Sequence, residues 1–218
     1  MIVPLERSGA AETPDLPLLI RPAQMGDIGP MLALQAEAFA DKFTAAFGRK
    51  GAERGVAALA RTHHLGGPNT LQGMHVALIG ERIVGTITMR TSEMFIDDGG
   101  TMEQAFLREL GTWGTIRATH ALSQLEHRIG RDEGYVTDVA VAQDVRRNGV
   151  ARAMMRYIVR VARDLGKRRL GLFVSASNSK AIALYQQFGF QKQQVRRSWW
   201  NAFFLGERRW IYMTYTIL

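Results

Sequence analysis

One segment constrains this chain more than any other. Residues 135–159 read YVTDVAVAQDVRRNGVARAMMRYIV. A β-branched, strand-like run ends in a short polar loop, and a helix begins directly after Gly149. The helical part, ARAMMRYIVRVARDLG, puts Met154, Ile158, Val161, Ala162 and Leu165 on one stripe and Arg152, Arg156, Arg160 and Arg163 on the other. A strand feeding an amphipathic helix through so short a loop is a unit of an α/β layer structure. The first amides of a helix carry no intrahelical partner and, with the positive end of the dipole, attract anions. Gly149 permits close backbone approach, and Arg146 and Arg147 add charge. The arrangement suits phosphate. It is neither a P-loop, since GxxxxGK[ST] is absent, nor a dinucleotide fingerprint, since GxGxxG is absent, and HExxH and GxSxG are missing too.

Charge reinforces that reading. The net charge is +8. Residues 146–169 contain nine bases and one acid (Asp164), so this segment holds the whole excess and the rest of the chain is neutral. A localised polyanion partner is implied, either a phosphorylated cofactor or a nucleic acid. With no cysteine, disulfides, thiolate metal sites and cysteine nucleophiles are excluded. His63, His64, His120 and His127 lack metal-ligand spacing, so no metal is expected and surface or core roles are assigned to them. The first residues carry no basic stretch followed by an apolar one, and runs such as MHVALIG are too short to span a bilayer. A soluble cytoplasmic protein without membrane contact is the expectation.

The remaining elements follow from pattern. Residues 1–17 read as a flexible arm and 18–218 as a single domain. PLLIRPAQ suggests a strand ended by Pro22, and Asp27 a cap for a helix through MLALQAEAFADKF. A short helix is expected around Val56–Arg61, then a hairpin of MHVALIG and IVGTITMR turning at Gly80-Glu81-Arg82. Residues 91–131 read as a helical insertion, with a break at Gly111 and Gly114. RRLGLFVSAS is a strand, NSKAIALYQQFGF a helix ended by Gly189, and QKQQVRRSWW and RRWIYMTYTI are closing strands.

Arg146-Arg147-Asn148-Gly149-Val150-Ala151 matches [RQ]-x-x-G-x-[GA], and Asn178, Ala181, Tyr185, Gly189 and Phe190 match N-x-x-A-x-x-x-Y-x-x-x-G-F. In this order, with a helix and a strand between them, the two motifs resemble those of the GCN5-related N-acetyltransferase (GNAT) superfamily. The resemblance covers roughly residues 18–218 by element order and is residue-specific over about 135–190. It implies a mixed α/β (α+β) fold: a twisted mixed β-sheet with splayed central strands, helices on both faces and the insertion at about 91–131.

It further implies acetyl transfer from acetyl-CoA, as cosubstrate, to a primary amine in a ternary complex. Backbone groups of Val139, Ala140 and Val141 would pair with the pantetheine arm. The amides of Arg146, Arg147, Asn148, Gly149, Val150 and Ala151 would hold the pyrophosphate. Asn178 and Ala181 would contact the cofactor near the thioester, and Tyr185 would protonate the departing thiolate. An amide, that of Val139, is the expected donor to the developing oxyanion. Asp138, mid-strand between apolar residues, is the first candidate for the base and Glu133 the second. The family pattern has Glu then His where this chain has Thr137 and Asp138, so the base is not transferred by resemblance.

Phe39 and Phe43 recur with Phe47 at helical spacing and are the substrate-side candidates. Trp199, Trp200, Phe203 and Phe204 suit a core or an interface and leave room for a homodimer. A core role for Tyr185, a capping role for Asn178 and an ion-pair role for Asp138 are the structural alternatives. At the level of function the alternatives are a CoA-binding sensor without transfer and a nucleic-acid-binding module using the 146–169 basic segment. The sequence carries no recognised nucleic-acid motif.

Overall fold

The computed structural model describes residues 2–3, 17–48, 52–94, 100–123, 127–197 and 209–217. Its strands are β1 (Ile2–Val3), β2 (Leu18–Pro22), β3 (Met74–Ile79), β4 (Arg82–Arg90), β5 (Glu133–Val141), β6 (Arg169–Ser175), β7 (Gln191–Arg197) and β8 (Arg209–Thr216). They form one sheet in the order β1-β2-β3-β4-β5-β6-β8-β7. Every neighbouring pair is antiparallel except β5 and β6. The helices are α1 (Ile28–Ala38), α2 (Ala40–Phe47), α3 (Ala52–Gly66), α4 (Gly100–Ser123), α5 (Val150–Asp164) and α6 (Ser179–Phe188).

Side chains alternate along a strand, so each strand serves two layers. On one face Val136, Leu172 and Met213 pack in the main core with Met154, Met155, Ile158 and Ala162 of α5. Gly85 of β4 lets α5 close on the sheet, because a Cβ there would stand 2.9 Å from the Met154 sulfur. On the opposite face Met74, Val76 and Leu78 of β3 pack with Ile28, Met31 and Leu32 of α1 and Val56 and Leu59 of α3. The expected fold class, a mixed sheet with helices on both faces, is the observed one.

The parallel pair β5–β6 holds register only over Glu133–Arg169 to Val136–Leu172. Beyond Leu172, β6 stays paired to β8, and beyond Val136, β5 stays paired to β4. The two central strands therefore splay, leaving one backbone edge of Thr137–Val141 unpaired.

Several local expectations are corrected. Ile2 and Val3 pair with Leu19 and Leu18 rather than standing free in the arm; residues 4–16 lie outside the described residues. Asp27 precedes α1 but makes no side-chain cap. Its carboxylate instead accepts both terminal nitrogens of Arg21, at 2.6 and 2.9 Å, and the Gln24 amide at 2.8 Å. The phenylalanine-spaced helix is broken at Phe39 (φ −121°, ψ 34°), which ends α1 and begins α2. The short helix near Val56 extends to 15 residues. Leu165 ends α5 and is 51% exposed, so it leaves the apolar stripe that Val150, Ala153 and Met155 complete. The insertion holds α4, kinked at Gly111 (φ 70°), with Ala105, Phe106 and Ala118 buried against Ala58 of α3. Trp199, Trp200, Phe203 and Phe204 lie outside the described residues.

Candidate functional site

The site begins at an irregularity. Between the pairs Thr86–Ala140 and Thr88–Thr137, two residues of β5, Asp138 and Val139, face the single residue Ile87. This is a β-bulge, which frees backbone groups and re-aims side chains. Asp138 takes φ 53°, in the left-handed region where Asp and Asn are the common non-glycine occupants. The Thr86 hydroxyl donates to its carbonyl and the Thr137 hydroxyl to its Oδ2, both at 2.9 Å. The bulge lies just past the last β5–β6 pair, so Val139, Ala140 and Val141 carry the strand edge that faces the splay.

β5 then runs through a single 3₁₀ turn, Gln143–Val145, into the start of α5. The loop is anchored at both ends: Arg146 Nε donates to the Val141 carbonyl at 2.9 Å, and Arg82 grips Asp144 at 2.6 and 2.9 Å. Arg147 (φ 69°) and Gly149 (φ 78°) are both left-handed. Alternation of this kind turns successive amides toward one point and forms an anion-binding concavity. Arg146, Arg147, Asn148 and Gly149 are exposed, Val150 is buried and Ala151 half-buried. The first turn of a 15-residue helix thus opens onto solvent beside the unpaired edge of β5. A Cβ on Gly149 would meet nothing within 4 Å, so it is the positive φ, not protein crowding, that favours glycine here.

Asn178 caps α6, its Oδ1 accepting the Ala181 amide at 3.1 Å. Tyr185 is 8% exposed and packs in the main core beside Phe190, ring centroids 5.7 Å apart. Burial alone pushes its phenol up to about 12, so it stays protonated throughout the neutral range.

Glu133 lies elsewhere. It opens β5, five residues from Asp138 and so roughly 16 Å along the strand. It is 1% exposed, and its carboxylate is occupied. Oε1 accepts His127 Nε2 at 2.9 Å and the Tyr212 hydroxyl at 2.6 Å, and Oε2 accepts the Gly130 amide at 3.2 Å, with an Arg169 nitrogen 3.7 Å away. The Tyr212 phenol is raised by burial and by this carboxylate. Of the two base candidates, only Asp138 is at the bulge.

The face opposite α5 forms an aromatic floor. Phe173 and Tyr212 stand 5.1 Å apart, and Tyr135 and His127 4.6 Å apart. Arg196 lies over the Phe173 ring at 4.8 Å, while Lys42 lies over Trp210 at 4.9 Å and over Phe39 at 5.0 Å. Phe39 is half-buried against the main core, and Phe43 contacts Phe47 at 5.6 Å.

His63, given a surface or core role by the sequence, is half-buried on α3. The Thr70 hydroxyl donates to the Gly67 carbonyl at 2.7 Å, so His63 Nδ1, 3.0 Å from the same oxygen, must be the donor to it. Nε2 of the neutral ring is then a proton acceptor. Burial keeps the imidazole neutral, reinforced by Arg90 and His64 and opposed by Asp138. Among the described residues no group of three or more His, Asp or Glu could hold a metal ion, and no helix is long and apolar enough to cross a membrane.

Comparison with known proteins agrees with this geometry. A family model described as Acetyltransferase (GNAT) family matches residues 36–190, well over half of the chain. The [ribosomal protein bS18]-alanine N-acetyltransferase of Escherichia coli strain K12 is 36% identical over 69 residues, 32% of this chain and 47% of that protein. The match thus spans about half the length of that relative. A crystal structure described as an acetyltransferase superposes with a TM-score of 0.65 at 19% identity, over 92% of this chain and all of that one. The ribosomal-protein-S18-alanine N-acetyltransferase of Escherichia coli superposes with a TM-score of 0.56 at 18% identity, over 92% and 94% of the two chains. At these identities the superpositions establish the fold alone.

Proposed function

The chain belongs to the acetyltransferase (GNAT) family, and from that premise we propose that it transfers the acetyl group of acetyl-CoA directly to a primary amine, with both substrates bound together. The observation that carries this reading is the unpaired edge of β5 leading into the left-handed pair Arg147 and Gly149 at the start of α5. An extended amide-bearing arm fits the edge as an added strand, and a pyrophosphate fits the loop. In this reading Val139, Ala140 and Val141 hold the arm, the amides of Arg146–Ala151 hold the pyrophosphate, and Asn178 and Ala181 border the thioester.

The chemistry asked of the protein is modest. The amine must be neutral to attack, and Asp138 takes its proton directly or through a water. The Val139 amide at the bulge stabilises charge developing on the carbonyl oxygen. Tyr185 serves the departing sulfur as a hydrogen-bond donor. Its role is narrower than protonation, because a phenol near 12 does not surrender its proton to a thiolate whose acid has a pKa of about 8.5. The sulfur is protonated from solvent.

For the acceptor, the relative that acts on an alanine of a ribosomal protein supports the α-amine of a polypeptide. An α-amine has a pKa of about 7.7–8.0 and is largely available at mildly basic pH without a strong base. That agrees with a site where, among the described residues, Asp138 is the carboxylate at the bulge. A cytoplasmic location, where acetyl-CoA and nascent polypeptides meet, belongs to the same reading.

The test is calorimetric titration with acetyl-CoA at two salt concentrations, followed by thiol release with alanine-initiated peptides. Saturable binding near one per chain and peptide-dependent release are expected. Absence of binding at both salts overturns the reading and leaves the arginine face of α5 to be tested with nucleic acid.

A further inference from the structure

The aromatic floor continues into a second feature. On the face of the sheet opposite α5 an open groove of about 720 Å³ is lined by Arg128, Glu133, Arg169, Gln194, Tyr212 and Thr214, among others. Tyr212 belongs to both. Its ring packs against Phe173, the first residue of β6 past the last β5–β6 pair, and its hydroxyl reaches down to Glu133. Tyr212 is thus shared by the groove and by the aromatic cluster beside the splay, and the bulge lies roughly 16 Å along β5 from Glu133.

Among the described residues the accessible charge around the groove is mostly basic. Glu133 is an acid in the groove, but it is buried and already accepts from His127, Tyr212 and the Gly130 amide. Asp132 is exposed beside Arg169 at 3.4 Å. Arg128 and Arg169 line the groove, Arg196 covers Phe173 and Lys42 covers Trp210. Gln193, Gln194, Thr214 and Thr216 supply the remaining polar wall. Amide and hydroxyl groups along a trough suit an extended chain, and peripheral guanidinium groups suit carboxylates.

We propose that this groove binds the acceptor beyond its amine and selects an extended polypeptide with acidic residues close behind the N-terminus. The inference rests on the transfer reading for the position of the amine, and its binding half can be tested without turnover. A lysine-rich acceptor would face Arg128, Arg169 and Arg196 and be repelled.

The experiment uses the full chain saturated with CoA. Two hexapeptides with free N-termini are titrated, one with alanine followed by alternating glutamate and glycine, the other with lysine in place of glutamate. Free alanine serves as the short acceptor. The glutamate peptide is expected to bind about tenfold more tightly than the lysine peptide and than free alanine. Arg128→Glu is expected to remove most of that preference, raising KM for the glutamate peptide with kcat and acetyl-CoA affinity unchanged. Arg128 is exposed, so this variant leaves the fold intact. Equal or tighter binding of the lysine peptide, binding of neither peptide, or a preference that survives Arg128→Glu overturns the proposal. If the glutamate peptide binds selectively but releases no thiol, the groove stands and the transfer reading fails. If the lysine peptide is acetylated faster, transfer stands and the groove assignment fails.

Discussion

Val136 of β5 faces Leu172 of β6, and no pair beyond it joins these two parallel strands. Each strand keeps its other neighbour: β5 pairs with β4 as far as Val141, and β6 pairs with β8 as far as Ser175. The opening costs no ladder on the outer sides, yet it leaves backbone donors and acceptors that a ligand can use. Placed beside the Asp138 bulge and ahead of the α5 N-terminus, this one break in pairing organises the site.

Tyr185→Phe separates chemistry from binding. The Tyr185 phenol is shifted by burial alone, with no charge or hydrogen bond contributing. Removing it should lower kcat about a hundredfold if it stabilises the departing sulfur, leaving acetyl-CoA affinity and Tm nearly unchanged. Because the phenol lies near 12, it should add no limb to the pH–rate profile below about pH 11. Steady-state thiol release and calorimetry check both halves, and an unchanged kcat removes Tyr185 from the reaction.

Gly149 tests the loop. At φ 78° any L side chain is strained by about 1–2 kcal/mol, although a Cβ would clash with nothing in the protein. Gly149→Val should cost about that much stability and weaken acetyl-CoA binding more than tenfold. Gly149→Asn should be milder on both counts, since asparagine tolerates this conformation. Equal acetyl-CoA affinity in all three proteins would remove the loop from the cofactor site.

Much of this was readable because the pattern was local. The α5 stripe, the Gly189 cap and the loop motif each lie within a window of about a dozen residues, so periodicity and turn chemistry report them directly. What escaped depends on distant partners or on departures from period. Glu133 reads as a base candidate at a strand start, but one of its donors, Tyr212, is 79 residues away. The left-handed Asp138 lies within a strand-like run that continues on both sides of it, so composition does not mark the bulge. Phe39, Phe43 and Phe47 have helical spacing, yet the helix breaks at Phe39 and nothing in the local sequence explains it.

The floor of the groove depends on a glycine. A Cβ at Gly171 would collide with Glu133 Oε1 and the Tyr212 hydroxyl. Gly171→Ala should therefore force apart a buried carboxylate and its donor, destabilising the protein by about 2–4 kcal/mol in urea unfolding. Tyr212→Phe keeps the ring and removes one donor to Glu133, and should cost about 1–3 kcal/mol. If Gly171→Ala is silent, the close packing of Glu133 against Gly171 and Tyr212 is not present in solution.

Acid should weaken the fold in two separate windows. His63 and His75 are both lowered by burial, His75 also donating Nδ1–H to the Gly73 carbonyl at 3.0 Å. Below pH about 6.5 the unfolded chain takes up protons at these positions while the folded chain does not. Their contribution is thus full above pH 6.5 and is lost as pH falls through their lowered folded values. Asp27 has the same sign at lower pH: its hydrogen bonds from Arg21 hold its carboxyl below the usual value, so its contribution is lost only below about pH 4. Tm measured from pH 8.5 to 3.5 should be flat to about 6.5, fall by a few degrees toward pH 5, and fall again below 4. His75→Gln should flatten the first step, and Asp27→Asn the second. A Tm that rises between pH 6.5 and 5 would mean that the buried imidazoles gain rather than lose protons on folding.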